Sequence, residues 1–294
     1  MENRTLTGST MFISGASRGV GLAIALAAAK DGANVALVAK TAEPHPKLEG
    51  TIYTAAEQIE QAGGKALPIV GDIRDENSVQ SAVAQAVDRF GGIDICVNNA
   101  SAINLSGVES LDMKRYDLMQ NINVRGTFLV SKYCIPHLRT SAENGRNPHI
   151  LTLSPPINLD PKWLAPHTGY TIAKYGMTLC ALGFAEELRE AGVASNALWP
   201  RTLVATAAVQ NLLGGEEAMR RARTPAVYAD AAYQVLTRPG RECTGNTFLC
   251  EDVLVESGVT DLSRYAADPN SDGSGSDNLG VDLFVDEVNP PGFR

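Results

Sequence analysis

Apolar and polar positions follow two rhythms along the chain. Short uninterrupted apolar runs take turns with longer stretches of helical spacing almost throughout. The runs fall at 11–14 (MFIS), 34–39 (NVALVA), 66–70 (ALPIV), 93–97 (IDICV), 149–154 (HILTLS), 193–199 (VASNALW) and 247–250 (TFLC). Strands this apolar have no face for water, which predicts a parallel sheet covered on both sides. The intervening 20–30, 51–61, 75–90, 111–138 and 168–190 read as helices, with Asp75 placed to cap the third and Asp31-Gly32 and Gly63-Gly64 ending the first two.

Right-handed crossovers between such strands predict an α/β fold, a doubly wound, Rossmann-like parallel sheet of seven strands in a single domain, residues 1–257. Residues 200–225 break the rhythm where the chain leaves the sixth strand. Residues 258–294 form a C-terminal extension with a low-complexity, flexible linker at 268–278. Beyond it Val281, Leu283 and Val285 alternate with acids, so the end is either a short docked strand or a disordered tail.

Composition narrows the function classes. The 294 residues are 44% hydrophobic and 20% charged, ordinary globular values. Six acids and one base lie in the chain from residue 265 on, and they carry most of the net charge of −8. No basic face suits a nucleic acid. No apolar run approaches the ~20 residues of a bilayer span, and the N-terminus lacks a basic-then-apolar leader. Cys96, Cys134, Cys180, Cys243 and Cys250 form no C-x-x-C, and His45, His137, His149 and His167 show no ligand spacing. A reducing, cytoplasmic setting without disulfides or bound metal is expected.

The chemistry sits in two places. FISGASRGVG (12–21) is strand, glycine turn and helix. Gly15, Gly19 and Gly21 let the backbone turn and approach a pyrophosphate, while Ser17, Arg18 and Val20 lead into a helix whose free N–H groups face the anion. An acid at the end of the second strand would repel a 2′-phosphate. Lys40 stands there instead, and with Arg18 in the turn it favours NADP(H) over NAD; Lys47 is a further cation nearby. The second place is GYTIAKYG, where Tyr170 and Lys174 share one helix face. A cation beside a tyrosine lowers its pKa from about 10 and fits it for proton transfer.

Together these motifs resemble the short-chain dehydrogenase/reductase family over about residues 8–255. The resemblance implies one Rossmann domain, a nicotinamide cofactor and hydride transfer to or from a carbonyl carbon. It implies Tyr170 and Lys174 as the catalytic pair and Asn123, in NINVRGTF, as the asparagine that bends its helix and holds a proton-relay water. It also places Asp72 against the adenine and Asn99, in NNAS, beside the adenosine half of the cofactor. The spacing of tyrosine and lysine disfavours enoyl reduction. Homodimers or homotetramers built on the helices 111–138 and 168–190 are implied, with Ala181, Leu182, Phe184 and Leu188 as contact candidates.

The chain departs from the family pattern at the serine. The strand ends Leu153-Ser154-Pro155-Pro156, and Pro155 takes the usual serine position. Either Ser154 reaches the carbonyl oxygen, or Asn158 or water replaces it. After the sixth strand Pro200-Arg201 stands for Pro-Gly, so Thr202 or Thr206 takes the nicotinamide amide, while Arg201 meets an acidic substrate or an internal partner. The substrate is a small carbonyl or alcohol compound, lipid-like or acyl by resemblance. It is expected between Ala102–Leu105, 155–167 (with Trp163 and His167) and a lid at 201–223. The alternative is an NADP-binding scaffold or sensor with little turnover.

Overall fold

The computed structural model describes residues 5–44, 50–212, 214–268 and 278–291. Most of the linker at 268–278, together with Lys47, His45 and Leu213, lies outside the described residues. Seven strands form the sheet: β1 (Thr10–Ser14), β2 (Asn34–Ala39), β3 (Lys65–Val70), β4 (Ile95–Asn98), β5 (His149–Thr152), β6 (Ala194–Trp199) and β7 (Thr247–Leu249). Their order is β3-β2-β1-β4-β5-β6-β7, and every neighbouring pair is parallel. The chain therefore reverses direction across the sheet between β1 and β4, the place where a doubly wound sheet opens a crevice at its carboxyl edge.

The apolar strands do two jobs at once. Ile13, Val97 and Leu151 pack into one layer with Ile24 and Val235. Their sequence neighbours Phe12, Cys96 and Ile150 pack into the other with Val83, Val130 and Leu138. Successive side chains point to opposite faces, so each strand must be apolar throughout. Each such side chain contributes about 1.5–3 kcal/mol by leaving water.

The helices α1 (Gly19–Lys30), α2 (Ile52–Gln61) and α3 (Glu76–Phe90) follow β1, β2 and β3. Asp75 caps α3 by accepting from the Ser78 N–H, and Gly91 ends it in the left-handed conformation. The single helix expected over 111–138 is instead α4 (Met113–Met119), a π-helical turn (Gln120–Arg125) and α5 (Gly126–Glu143). After β5 come α6 (Pro161–Leu164) and α7 (Thr168–Glu187). The irregular stretch beyond β6 holds two short helices, α8 (Ala207–Leu212) and α9 (Gly215–Arg220), before α10 (Ala226–Thr237); α11 (Cys250–Glu256) follows β7.

The C-terminal segment docks without becoming a strand. It makes two isolated antiparallel bridges among the described residues, Arg223 to Ala266 and Thr202 to Val281. The expected alternation of Val281, Leu283 and Val285 does not set its burial: Leu279, Phe284, Val285 and Val288 are buried, and Val281 is exposed. Ala181, Phe184 and Leu188, proposed above as contact candidates, lie in the core, whereas Phe128, Ile172 and Leu179 on α5 and α7 are exposed. Among the described residues no helix is long and apolar enough to cross a membrane. Among them, too, no group of three or more His, Cys, Asp or Glu is arranged to hold a metal.

Candidate active site

The glycine turn joins β1 to α1 at the sheet's carboxyl edge. Gly15 and Gly19 have φ of 74° and 59°, where a side chain is strained. Asn99 from the end of β4 donates its side-chain amide to the Ser14 and Gly15 carbonyls at 2.8 and 2.9 Å. A Cβ on Gly21 would stand 2.4 Å from that amide nitrogen, and one on Gly15 would stand 2.8 Å from the Ala100 Cα. Asn99 thus braces the turn, and the glycines keep its floor open to an anion. Val20 lies in the first turn of α1, and Ser17 is buried beneath it. Arg18 donates to the Gly50 carbonyl at 2.7 Å, and its Nε is buried without a partner among the described residues. A cradle of this shape, with a guanidinium left wanting an acceptor, fits the phosphates of a dinucleotide.

Next to it, the ends of β2 and β3 bring charges together. Lys40 is largely exposed, and its Nζ lies 3.2 Å from Asp72; Arg74 lies 2.6 Å from the same carboxylate. The bond from Arg74, aided by Lys40, holds the Asp72 carboxyl well below the usual range.

Tyr170 and Lys174 occupy the first turns of α7, both buried. Lys174 Nζ donates to the Leu153 carbonyl at 3.0 Å and stands 5.0 Å from the centre of the Trp199 ring. Burial brings its ammonium down to about 7. Burial also pushes the Tyr170 phenol up, with Asp282 adding to the rise. Asn123 sits in the π-helical turn. Its side chain accepts from the Ala102 N–H at 2.8 Å and donates to the Ala102 carbonyl at 3.0 Å. These two bonds tie the loop after β4 to the widened turn.

Ser154 is fully buried just past the end of β5. Its Oγ lies 2.9 Å from the Thr178 hydroxyl, which gives its one proton to the Pro155 carbonyl at 2.7 Å. Among the described residues Ser154 makes no hydrogen bond to Tyr170. Asn158 is held by Tyr175 and reaches the Phe284 carbonyl at 3.3 Å. The Thr202 hydroxyl donates to Glu251 at 3.2 Å, whereas Thr206 lies 3.7 Å from where a Gly19 Cβ would be. Arg201 finds an internal partner, donating to Asp252 at 2.6 and 2.9 Å.

The residues that the sequence leaves unannounced come from the C-terminal segment. Phe284 stacks on Tyr170 with ring centres 6.2 Å apart and meets His167, Trp163, Tyr175 and Trp199 at 5.2–6.2 Å. It is the one non-glycine among the described residues with positive φ, 72°. For a bulky residue that conformation costs on the order of 1–3 kcal/mol. Asp282, nearby, loses solvent, which pushes its carboxyl up to about 7. The only sequence signal for this arrangement is the apolar content of 279–288.

The Asp282 shift has a stability consequence. The folded protein keeps this proton between the usual carboxylate pKa near 3.9 and about 7, while the unfolded chain has lost it. The contribution is present at low pH and is lost as pH rises through 7. Asp282→Asn removes the ionisation. Its melting temperature relative to wild type should rise between about pH 4 and pH 7 and level off above; a difference that is flat with pH would contradict the assignment.

The family described as short chain dehydrogenase matches residues 9–216. The Hydroxysteroid dehydrogenase-like protein 2 of Danio rerio is 58% identical over 264 residues, covering 90% of this chain and 62% of that protein. The protein of the same name from Homo sapiens is 51% identical over 282 residues, 96% of this chain and 64% of that one. The chain thus spans less than two thirds of the length of these relatives. A crystal structure of a short chain dehydrogenase from Mycobacterium thermoresistibile is 69% identical and superposes with a TM-score of 0.90, over 98% of this chain and 99% of that one.

Proposed function

Since the chain belongs to the short-chain dehydrogenase/reductase family of nicotinamide-dependent oxidoreductases, we propose that it is an NADP(H)-dependent enzyme interconverting a carbonyl and an alcohol. The observation that carries this reading is the pairing, at one sheet edge, of the glycine cradle at Gly15–Gly21 with the buried Tyr170 and Lys174. When bound, the nicotinamide supplies or accepts the hydride.

The chain's own residues then do the rest. Tyr170 gives the carbonyl oxygen its proton, or takes one from the alcohol. Lys174, next to it on the helix, stabilises the phenolate when charged and is free to leave the Leu153 carbonyl for the nicotinamide ribose. Asn123 holds Ala102 and keeps the widened helix turn open as a route for water. Ser154, held by Thr178 just past the end of β5, is the candidate to meet the carbonyl oxygen. Lys40 and Arg18 favour a 2′-phosphate, with Asp72 as the internal anion that such a phosphate rivals. Thr206, beside Gly19, is better placed toward the cofactor than Thr202, whose hydroxyl serves Glu251.

The apolar cluster that Tyr170 shares with Met119, Tyr175, Trp199 and Phe284 fits an apolar, lipid-like or acyl carbonyl compound. Exposed Phe128, Ile172 and Leu179 on α5 and α7 support self-association through these helices. The rival reading, an NADP-binding scaffold or sensor, draws on Pro155 at the usual serine position and on Phe284 stacked on Tyr170.

Parallel titration with NADPH and NADH tests the cofactor assignment. NADPH should bind at least tenfold tighter, the scale of one good charge-assisted contact at ~1.4 kcal/mol, and Lys40→Asp should abolish the preference. Equal affinities would remove the roles given to Lys40 and Arg18.

A further inference from the structure

Phe284 fills a cage of five rings: Trp163, His167, Tyr170, Tyr175 and Trp199. We propose that this cage is the subsite for an aryl or compact hydrocarbon group of the substrate, and that Phe284 is its intramolecular occupant, which the substrate displaces. The inference rests on the reading of Tyr170 as the group that serves the carbonyl.

The segment is pinned at both ends. On one side Gly280 bonds to Leu203 and Arg221, and Asp282 donates its N–H to the Arg201 carbonyl at 3.0 Å. On the other, Arg201 donates to the Glu287 carbonyl, and Arg223 to the Val288 carbonyl and the Asn289 side chain at 3.0–3.2 Å. Between the anchors no backbone–backbone hydrogen bond holds the segment among the described residues, and its ties run through side chains. Trp199 donates to the Leu283 carbonyl, Asn158 to the Phe284 carbonyl and Trp163 to Asp286, while Lys162 pairs with Asp286 on the surface. Residues 283–286 can therefore lift as a short loop while the anchors hold.

Strain favours that movement. Phe284 holds a φ of 72°, and lifting the loop lets it return to an ordinary conformation. The ring also lies stacked against the phenol that must meet a carbonyl, so the position it holds is one the substrate needs. What it leaves is an apolar, ring-walled space, the kind that takes flat hydrocarbons. Asp282 at the border disfavours an anionic group there.

Toluene is the probe, because it binds without chemistry. The chain has two tryptophans, and both donate their indole N–H to the strap, so intrinsic emission reports on its position. Toluene added to the full chain should change that emission and speed hydrogen exchange at 283–286, with exchange at the anchors unchanged. Phe284→Ala should bind toluene about tenfold tighter, as for a site filled by its own chain nine-tenths of the time, and should lower KM for aryl ketones. Unaltered exchange at 283–286, or a raised KM in Phe284→Ala, would overturn the proposal and make the ring a fixed wall. If the variant does not fold, the exchange result on the wild-type chain decides alone. Displacement by toluene in a protein that reduces no ketone would keep the subsite and remove the carbonyl reading.

Discussion

Tyr170→Phe loses turnover by about 10²–10⁴-fold, the usual worth of a positioned proton donor, while NADPH binds as in wild type. The substitution is clean because the phenol oxygen makes no hydrogen bond to another described residue. The ring contacts with His167 and Phe284 survive in phenylalanine. The lost atom is then the proton donor and little else. Steady-state NADPH oxidation measured beside a cofactor titration separates the two effects. Turnover within a few-fold of wild type would mean that another group carries the proton.

Arg223→Met has the largest expected effect on stability. Arg223 is fully buried and donates to Glu251, also fully buried, at 2.8 Å. Burial pushes the Glu251 carboxyl up, and Arg223 opposes the rise. Glu251 also accepts from the Arg201 N–H at 2.7 Å and from Thr202, so it cannot turn outward when Arg223 is gone. Breaking such a pair from one side leaves a buried charge and costs about 3–5 kcal/mol, on the order of 10 °C in Tm for a chain this long. Arg223→Met with Glu251→Gln should lose less than Arg223→Met alone, since the amide keeps an acceptor for Arg201 and carries no charge. Equal losses in the single and double variants would show that packing of the arginine stem, not the charge, holds this place. The single variant should also loosen the strap, because Arg223 grips Val288 and Asn289.

The sheet was legible because its strands are buried on both sides. Phe12 and Ile13 serve opposite layers, so the run MFIS needs no polar position. The glycine turn was legible because a positive φ at Gly15 and the close approach of Asn99 at Gly21 exclude side chains. Tyr170 and Lys174 share a helix face whatever surrounds them.

The rest depends on contacts between distant parts of the chain. The π-helical turn at 120–125 has the composition of ordinary helix, and only the hook from Asn123 to Ala102 marks it. Ser154 is bonded to Thr178, a residue of α7 that lies 24 positions on. Nothing near Phe284 in sequence announces its destination: its anchors Arg201 and Arg223 lie far upstream. Alternation of Val281, Leu283 and Val285 pointed to a strand, but the buried anchors and the ring cage impose an irregular path.

The account rests on hydride passing to a carbonyl carbon beside Tyr170. NADPH deuterated at the transferring position, mixed with the full chain and a panel of apolar aryl, alkyl and acyl ketones, tests this most directly, with deuterium sought on the carbinol carbon. The label should appear there for at least one ketone with the wild-type chain, and should fall by orders of magnitude with Tyr170→Phe. NADPH binding with no label transferred to any ketone would contradict the account and leave a protein that holds the cofactor without using it.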